Sequence, residues 1–218
     1  MFSMRRRTSS PASKPLSPLV SIMSDSEEEP IFDPDWHHTE NAGIYLHALG
    51  LLSIEWNMTE HYMSMLVAGF MSNSPASAPV AMSMGNQSKT DALLTLASTR
   101  NISKIGMKHI EFAAACFNRL RENRNILLHS HSMVPRKGQK IEFRRARASA
   151  PTLHLGCLTT LDEIGDNLVK TIALGQFISV LWIKTSRARH MKKSGLPWPN
   201  IFPLPNKLTQ LPPEVRPE

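Results

Sequence analysis

From residue 41 to about residue 70, apolar side chains return every three or four positions: Ile44, Ala48, Leu51, Leu52, Met58, Met65, Leu66 and Phe70. That period lines them along one stripe of an α-helix, with Thr39 as the N-cap. Ser74-Pro75 and Pro79 close the run, because proline lacks the N–H that a helix interior needs. Met82 to Thr99, carrying Leu93, Leu94, Leu96 and Ala97, predicts a second helical stretch with a break at Gly85. In the third, Ile102, Ile105, His109, Phe112, Ala113, Cys116 and Leu120 form one face, while Lys104, Lys108, Glu111 and Arg119 lie off it. This helix leads directly into RENRNILLHSH.

The period then changes. Pro135 and Gly138 mark a loop, and Lys140–Ala148 and Thr152–Leu158 read as two short strands around Ser149-Ala150-Pro151, a β-hairpin. Thr160-Leu161-Asp162-Glu163 has the spacing of a capping box, in which hydroxyl and carboxylate satisfy backbone N–H groups at a helix start. It opens a last helix running to about Arg189. Thr171 to Ile183 is an uncharged stretch bracketed by Lys170 and Lys184. It is shorter than the roughly 20 apolar residues a membrane span needs, so a core helix is expected and no membrane partner. The fold class predicted is mainly α, a bundle of four to five helices with a small β-hairpin before the last helix.

Composition separates the ends from the middle. Residues 1–22 are basic and rich in Ser and Pro, with no apolar core of a secretory signal, and Pro11, Pro15 and Pro18 would break a transit-peptide helix. Met23 supplies an alternative start, which would put residues 1–22 upstream of the native chain. Residues 24–35 are acidic and include Pro30 and Pro34, a pattern of disorder. The expected organisation is a disordered segment over 1–35, a helical domain over 36–192 and a proline-rich tail over 193–218. Seven prolines in that tail exclude helix or sheet and leave an extended chain, whose Trp198 and Phe202 can pack along the domain or meet a partner.

The net charge of +7 combines +4 on residues 1–22 and −6 on residues 24–35, which leaves +9 on the remainder. A body that basic suits an anionic partner such as RNA, although a solvated basic face gives the same count. Cys116 and Cys157 lie in apolar surroundings at no metal-ligand spacing, so neither a disulfide framework nor a zinc site is expected, and a cytoplasmic location fits. Phosphate-loop, dinucleotide-binding, zinc-protease, serine-hydrolase and calcium-loop motifs are absent from the sequence, and no cofactor is expected. His37-His38 with Asp33 and Asp35 reads as a solvated loop rather than a metal site, and His47, His61 and His109 as ordinary helical histidines.

The exception is Arg124-Asn125-Ile126-Leu127-Leu128-His129, which puts a fixed cation, a carboxamide and an imidazole within six residues. Asn125 and His129 are four apart and share a helical face. Arg124 and His129 are five apart, roughly 140° around the helix, and converge only through a long side chain or a break in the helix. A guanidinium can hold a phosphate, an imidazole can move protons near neutral pH, and a carboxamide can orient either. The arrangement resembles the R-x4-6-H motif, often RN-x3-H, of the HEPN superfamily of helical domains, many of them RNases of toxin, antiphage or RNA-processing systems. The resemblance implies an all-α bundle, a homodimer that joins two motifs in one cleft, and metal-independent attack of a ribose 2′-OH leaving a 2′,3′-cyclic phosphate. It also implies a cognate antitoxin or other protein partner. His131 stands at an allowed spacing as an accessory residue, and Glu55 is the candidate for the helix-one acid that sometimes assists. The alternative is a non-catalytic helical module that binds RNA or protein, with Arg124, Asn125 and His129 closing a helix end.

Overall fold

In the computed structural model, which describes residues 42–72, 74–100, 102–130, 132–136, 140–147, 150–187, 197–211 and 214–215, five helices pack around a main apolar cluster and a small sheet closes over a second one. In chain order they are α1 (Ala42–Met71), α2 (Ser77–Ser83), α3 (Asn86–Thr99), α4 (Lys104–Leu128), β1 (Ser132–Arg136), β2 (Lys140–Arg147), β3 (Ala150–Thr160), α5 (Leu161–Arg187), β4 (Thr209–Gln210) and β5 (Glu214–Val215). The mainly helical class with a hairpin before the last helix is thus the observed one. Residues 1–41, including Thr39 and the His37-His38 pair, lie outside the described residues.

Helix α1 is the expected helix, and its inner face keeps Leu52, Leu66 and Phe70 of the expected stripe while Ile44, Leu51 and Met58 turn outward. Tyr45, Leu49, Leu52, Trp56, Met63, Leu66 and Phe70 are buried, whereas Ile44, Leu51, Ile54 and Met58 are exposed. The helix is apolar on both sides, so two stripes of the same period compete, and packing selects the one bearing the larger aromatics. Trp56 meets Phe117 of α4 with ring centroids 4.8 Å apart. Its indole donates to Glu60 at 3.1 Å, and Glu60 in turn pairs with the buried Lys89 of α3 at 3.1 Å. Burial alone would push the Glu60 carboxyl up, but hydrogen bonds and charge from Lys89, with Asn86 and Trp56, hold it below the usual carboxylate range.

The break at Gly85 is present: α2 ends at Ser83 and α3 restarts at Asn86, with Gly85 extended at φ −64°, ψ 155°. Pro79 lies in the first turn of α2, where its missing N–H costs nothing. Ser103 caps α4 by accepting from Gly106 N at 3.1 Å. At α5 the capping box is formed in both directions, Thr160 N to Glu163 Oε2 at 3.0 Å and Glu163 N to Thr160 Oγ1 at 3.2 Å.

Helix α5 packs mainly against α1, with Ile164, Leu174, Phe177, Ile178 and Leu181 buried along one side. Gly175 permits the approach, since a Cβ there would stand 2.9 Å from Thr59 Oγ1 of α1. Among the described residues, α5 is the helix long and apolar enough, by length and composition, to cross a membrane. The short uncharged stretch understates it, because the helix containing it spans 27 residues. One side of the helix is buried against α1, with Asp162, Glu163, Asp166 and Val169 turned outward.

Two elements depart from expectation. Pro135 lies in a strand rather than a loop: β1 pairs antiparallel with β2, Pro135 opposite Ile141. As the first strand in the order β1-β2-β3-β4, β1 has an outer edge on which a residue without an N–H is tolerated. The tail also contributes strand after all, through β4 and β5, each two residues long and each paired with β3. Such short pairings fit between prolines. Ile141, Phe143 and Cys157 of the sheet close over Tyr45, Leu49, Leu52, Ile126, Leu127, Ile164 and Leu208 as a second apolar cluster. Cys116 and Cys157 are buried, and burial pushes their thiols up to about 12 and about 11, so neither is a reactive thiolate.

Candidate active site

The last two turns of α4 sit where the helical bundle meets the sheet. Ile126 and Leu127 anchor this end in the second cluster. That anchoring leaves Arg124 and Asn125 half-buried and His129 exposed. Asn123, immediately before them, is buried and bonds through both ends of its amide. Its Nδ2 donates to Asn167 Oδ1 of α5 at 2.6 Å and to Asn206 O of the tail at 2.8 Å, while Leu208 N donates to its Oδ1 at 3.2 Å. The motif therefore begins from a residue that ties α4, α5 and the tail together.

His129 ends α4 as its C-cap, at φ −109°, ψ 12°, its N–H donating to Asn125 O at 3.2 Å. Departure from helical dihedrals at this residue, with the reach of the Arg124 side chain, closes the angle that straight helical spacing would leave. Arg124 Nη1 lies 2.8 Å from His129 Nε2 and 3.2 Å from Asn125 Oδ1. The guanidinium can only donate, so Nε2 is the accepting nitrogen and the imidazole proton resides on Nδ1. Arg124 Nε is buried with no acceptor among the described residues. An orphaned buried N–H costs about 1–3 kcal/mol, so this arginine is not consumed by structural bonds. Neither Arg124 nor Arg121 has a carboxylate partner among the described residues. The negative end of the α4 dipole favours cations here, and any anion would be held by the arginines rather than by the helix.

A cleft of about 500 Å³ opens alongside, lined by Asn86, Arg121, Glu122, Asn125, Ile126 and Gln210. Arg121 is one turn before Asn125, so the helical period that picks out Asn125 and His129 extends to it. Asn86 comes from the first turn of α3 and Gln210 from β4. Nothing local in the sequence relates those two to the motif. Glu122 is paired with Lys207 of the tail at 3.3 Å, both ends solvent-facing.

The structure thus brings Arg124, Asn125 and His129 together. Glu55 is half-buried on α1 and makes no hydrogen bond or ion pair to the three among the described residues. His131 lies outside the described residues. His109 is structural: its Nδ1 is 2.7 Å from Ile105 O, its Nε2 is 3.1 Å from Pro199 O, and its ring lies between Phe177 and Trp198. Among the described residues, no three His, Cys, Asp or Glu side chains gather as a metal site. The chain matches no protein-family model, and comparison with curated proteins and with solved structures found no match.

Proposed function

We propose that the protein is a HEPN-like, metal-independent endoribonuclease with Arg124, Asn125 and His129 as its catalytic group. The observation that carries this reading is the 2.8 Å approach of Arg124 Nη1 to His129 Nε2, made by residues five apart. In the reaction, the ribose O2′ attacks the adjacent phosphorus and the P–O5′ bond breaks, giving a 2′,3′-cyclic phosphate and a 5′-hydroxyl. His129 takes the O2′ proton once a phosphate oxygen has drawn Arg124 away from Nε2, and the guanidinium stabilises the phosphorane. Asn125 holds the guanidinium through its Oδ1. O5′ needs a proton as it leaves, and a homodimer that joins two motifs would supply it from the second His129. The exposed row Ile44, Leu51, Ile54 and Met58 on α1 supports such pairing as an available apolar surface. A cytoplasmic setting and an antitoxin-like protein partner belong to the same reading.

Mixed RNA incubated in EDTA with the wild type, His129→Ala and Arg124→Ala tests it. Cleavage by the wild type alone is expected; equal outcomes for all three would sink it. One observation favours the second reading, a non-catalytic RNA-binding or protein-interaction module: the Arg124 bond occupies the lone pair that a base would use. Salt-dependent RNA binding without cleavage is its signature.

A further inference from the structure

The cleft beside the arginine–histidine pair has a lining more specific than charge alone requires. Its volume falls within the roughly 300–1,000 Å³ common for small-ligand sites. A site for phosphate alone would be built from cations and N–H donors. This one combines a single arginine with three carboxamides, Asn86, Asn125 and Gln210, a carboxylate, Glu122, and an apolar side chain, Ile126. Carboxamides and carboxylates are the groups that match the donors and acceptors on base edges. Two of the carboxamides are also held in place. Asn86 Oδ1 accepts from Lys89 at 3.3 Å, and Lys89 is itself pinned to Glu60. Asn125 Oδ1 accepts from Arg124, whereas at Gln210 the backbone alone is set, by its register opposite Cys157. Readers fixed before binding lose little entropy when a ligand arrives.

We infer that this cleft seats one nucleotide of single-stranded RNA next to the linkage held by Arg124 and His129. Asn86, Gln210 and Glu122 read its base edge, and Arg121 takes its phosphate. The inference rests on the ribonuclease reading for what the neighbouring residues do, but base selection by the cleft is measurable without cleavage.

The probes are four fluorescein-labelled RNA tetranucleotides, one for each base, titrated by anisotropy into the His129→Ala protein so that they stay intact. A preference of about tenfold or more between the best and worst base is expected. Gln210→Ala, on the exposed rim, and Asn86→Ala each carry the test, and a fall in preference below about threefold in either is the expected result. Arg121→Gln weakens all four probes by a similar factor. Equal binding of all four, or a preference intact in both variants, overturns the inference. Cleavage of a longer RNA by the wild type is read in parallel. Cleavage without base preference removes the cleft proposal alone, and base preference without cleavage removes the ribonuclease reading alone.

Discussion

Helix α4 carries two histidines in opposite circumstances. His109 is buried, with both ring nitrogens against carbonyl oxygens and an aromatic ring on either side. His129 is exposed at the helix terminus, and its Nε2 meets the Arg124 guanidinium. The first is committed to the fold: whichever ring nitrogen carries the proton has a backbone carbonyl to accept it, and aromatic rings pack against the imidazole. The second is bound to a group whose better partner would be an anion. The nature of the bonding partner therefore separates these two histidines better than position on the apolar face of a helix.

The largest effect that would break the comparison is on activity. His129→Ala is expected to lower RNA cleavage by about 10²–10⁴-fold with an unchanged Tm, while His109→Ala retains cleavage in proportion to the folded fraction. An inactive but fully stable His109→Ala protein would contradict the contrast. Arg124→Lys keeps the charge but loses the planar fork, and a fall in kcat of about 10²-fold is expected with little change in melting. Measured kcat at saturating RNA checks it.

Smaller effects concern stability on the committed side. Asn123→Ala leaves Asn167 and the tail backbone without partners and is expected to cost about 1–3 kcal/mol, lowering Tm by about 2–4 °C per kcal/mol. Faster proteolysis after residue 197 should accompany it. Gly106→Ala would put a Cβ 2.6 Å from Ile102 Cγ2 and 2.9 Å from Trp198 Cη2, and overpacking of this kind costs about 1–3 kcal/mol. The smallest is pH-dependent. The Glu60 carboxyl is lowered in the fold, so its stabilisation is present above the ordinary carboxylate range and is lost as pH falls through the folded-state value. Glu60→Gln should melt below the wild type at neutral pH, and the gap should narrow in acid.

Helices and their punctuation were readable because capping and proline act locally: the Thr160–Glu163 box, the Gly85 break and the end of α1 fall where the residues imply. The inner face of α1 is legible only in part: Leu52, Leu66 and Phe70 are buried as their spacing implies, but Ile44, Leu51 and Met58 fit a helical period as well as the buried Tyr45, Leu49 and Trp56 do. Strand β1 is not legible in the sequence, because Pro135 argues against a strand everywhere except at an edge. For the site, spacing alone carries little: Arg147 and His154 satisfy the looser form of the same motif on β2 and β3. What brings Arg124 to His129 is a C-cap conformation and a long side chain, neither of which spacing encodes. Asn86 and Gln210 reach the cleft only through the tertiary fold.

The Asn123 clamp also sets an order of events during synthesis. Its partners Asn206 and Leu208 lie 83 and 85 residues downstream. At about 5–20 residues per second, the ribosome takes on the order of 4–17 s to supply them. During that interval α4 can pair with α1 and α3, but the residue preceding Arg124 has no tail to grip. The C-terminal end of α4 thus waits for the tail, and a nascent chain paused before residue 206 would carry Arg124, Asn125 and His129 with only the Asn167 arm of the clamp formed.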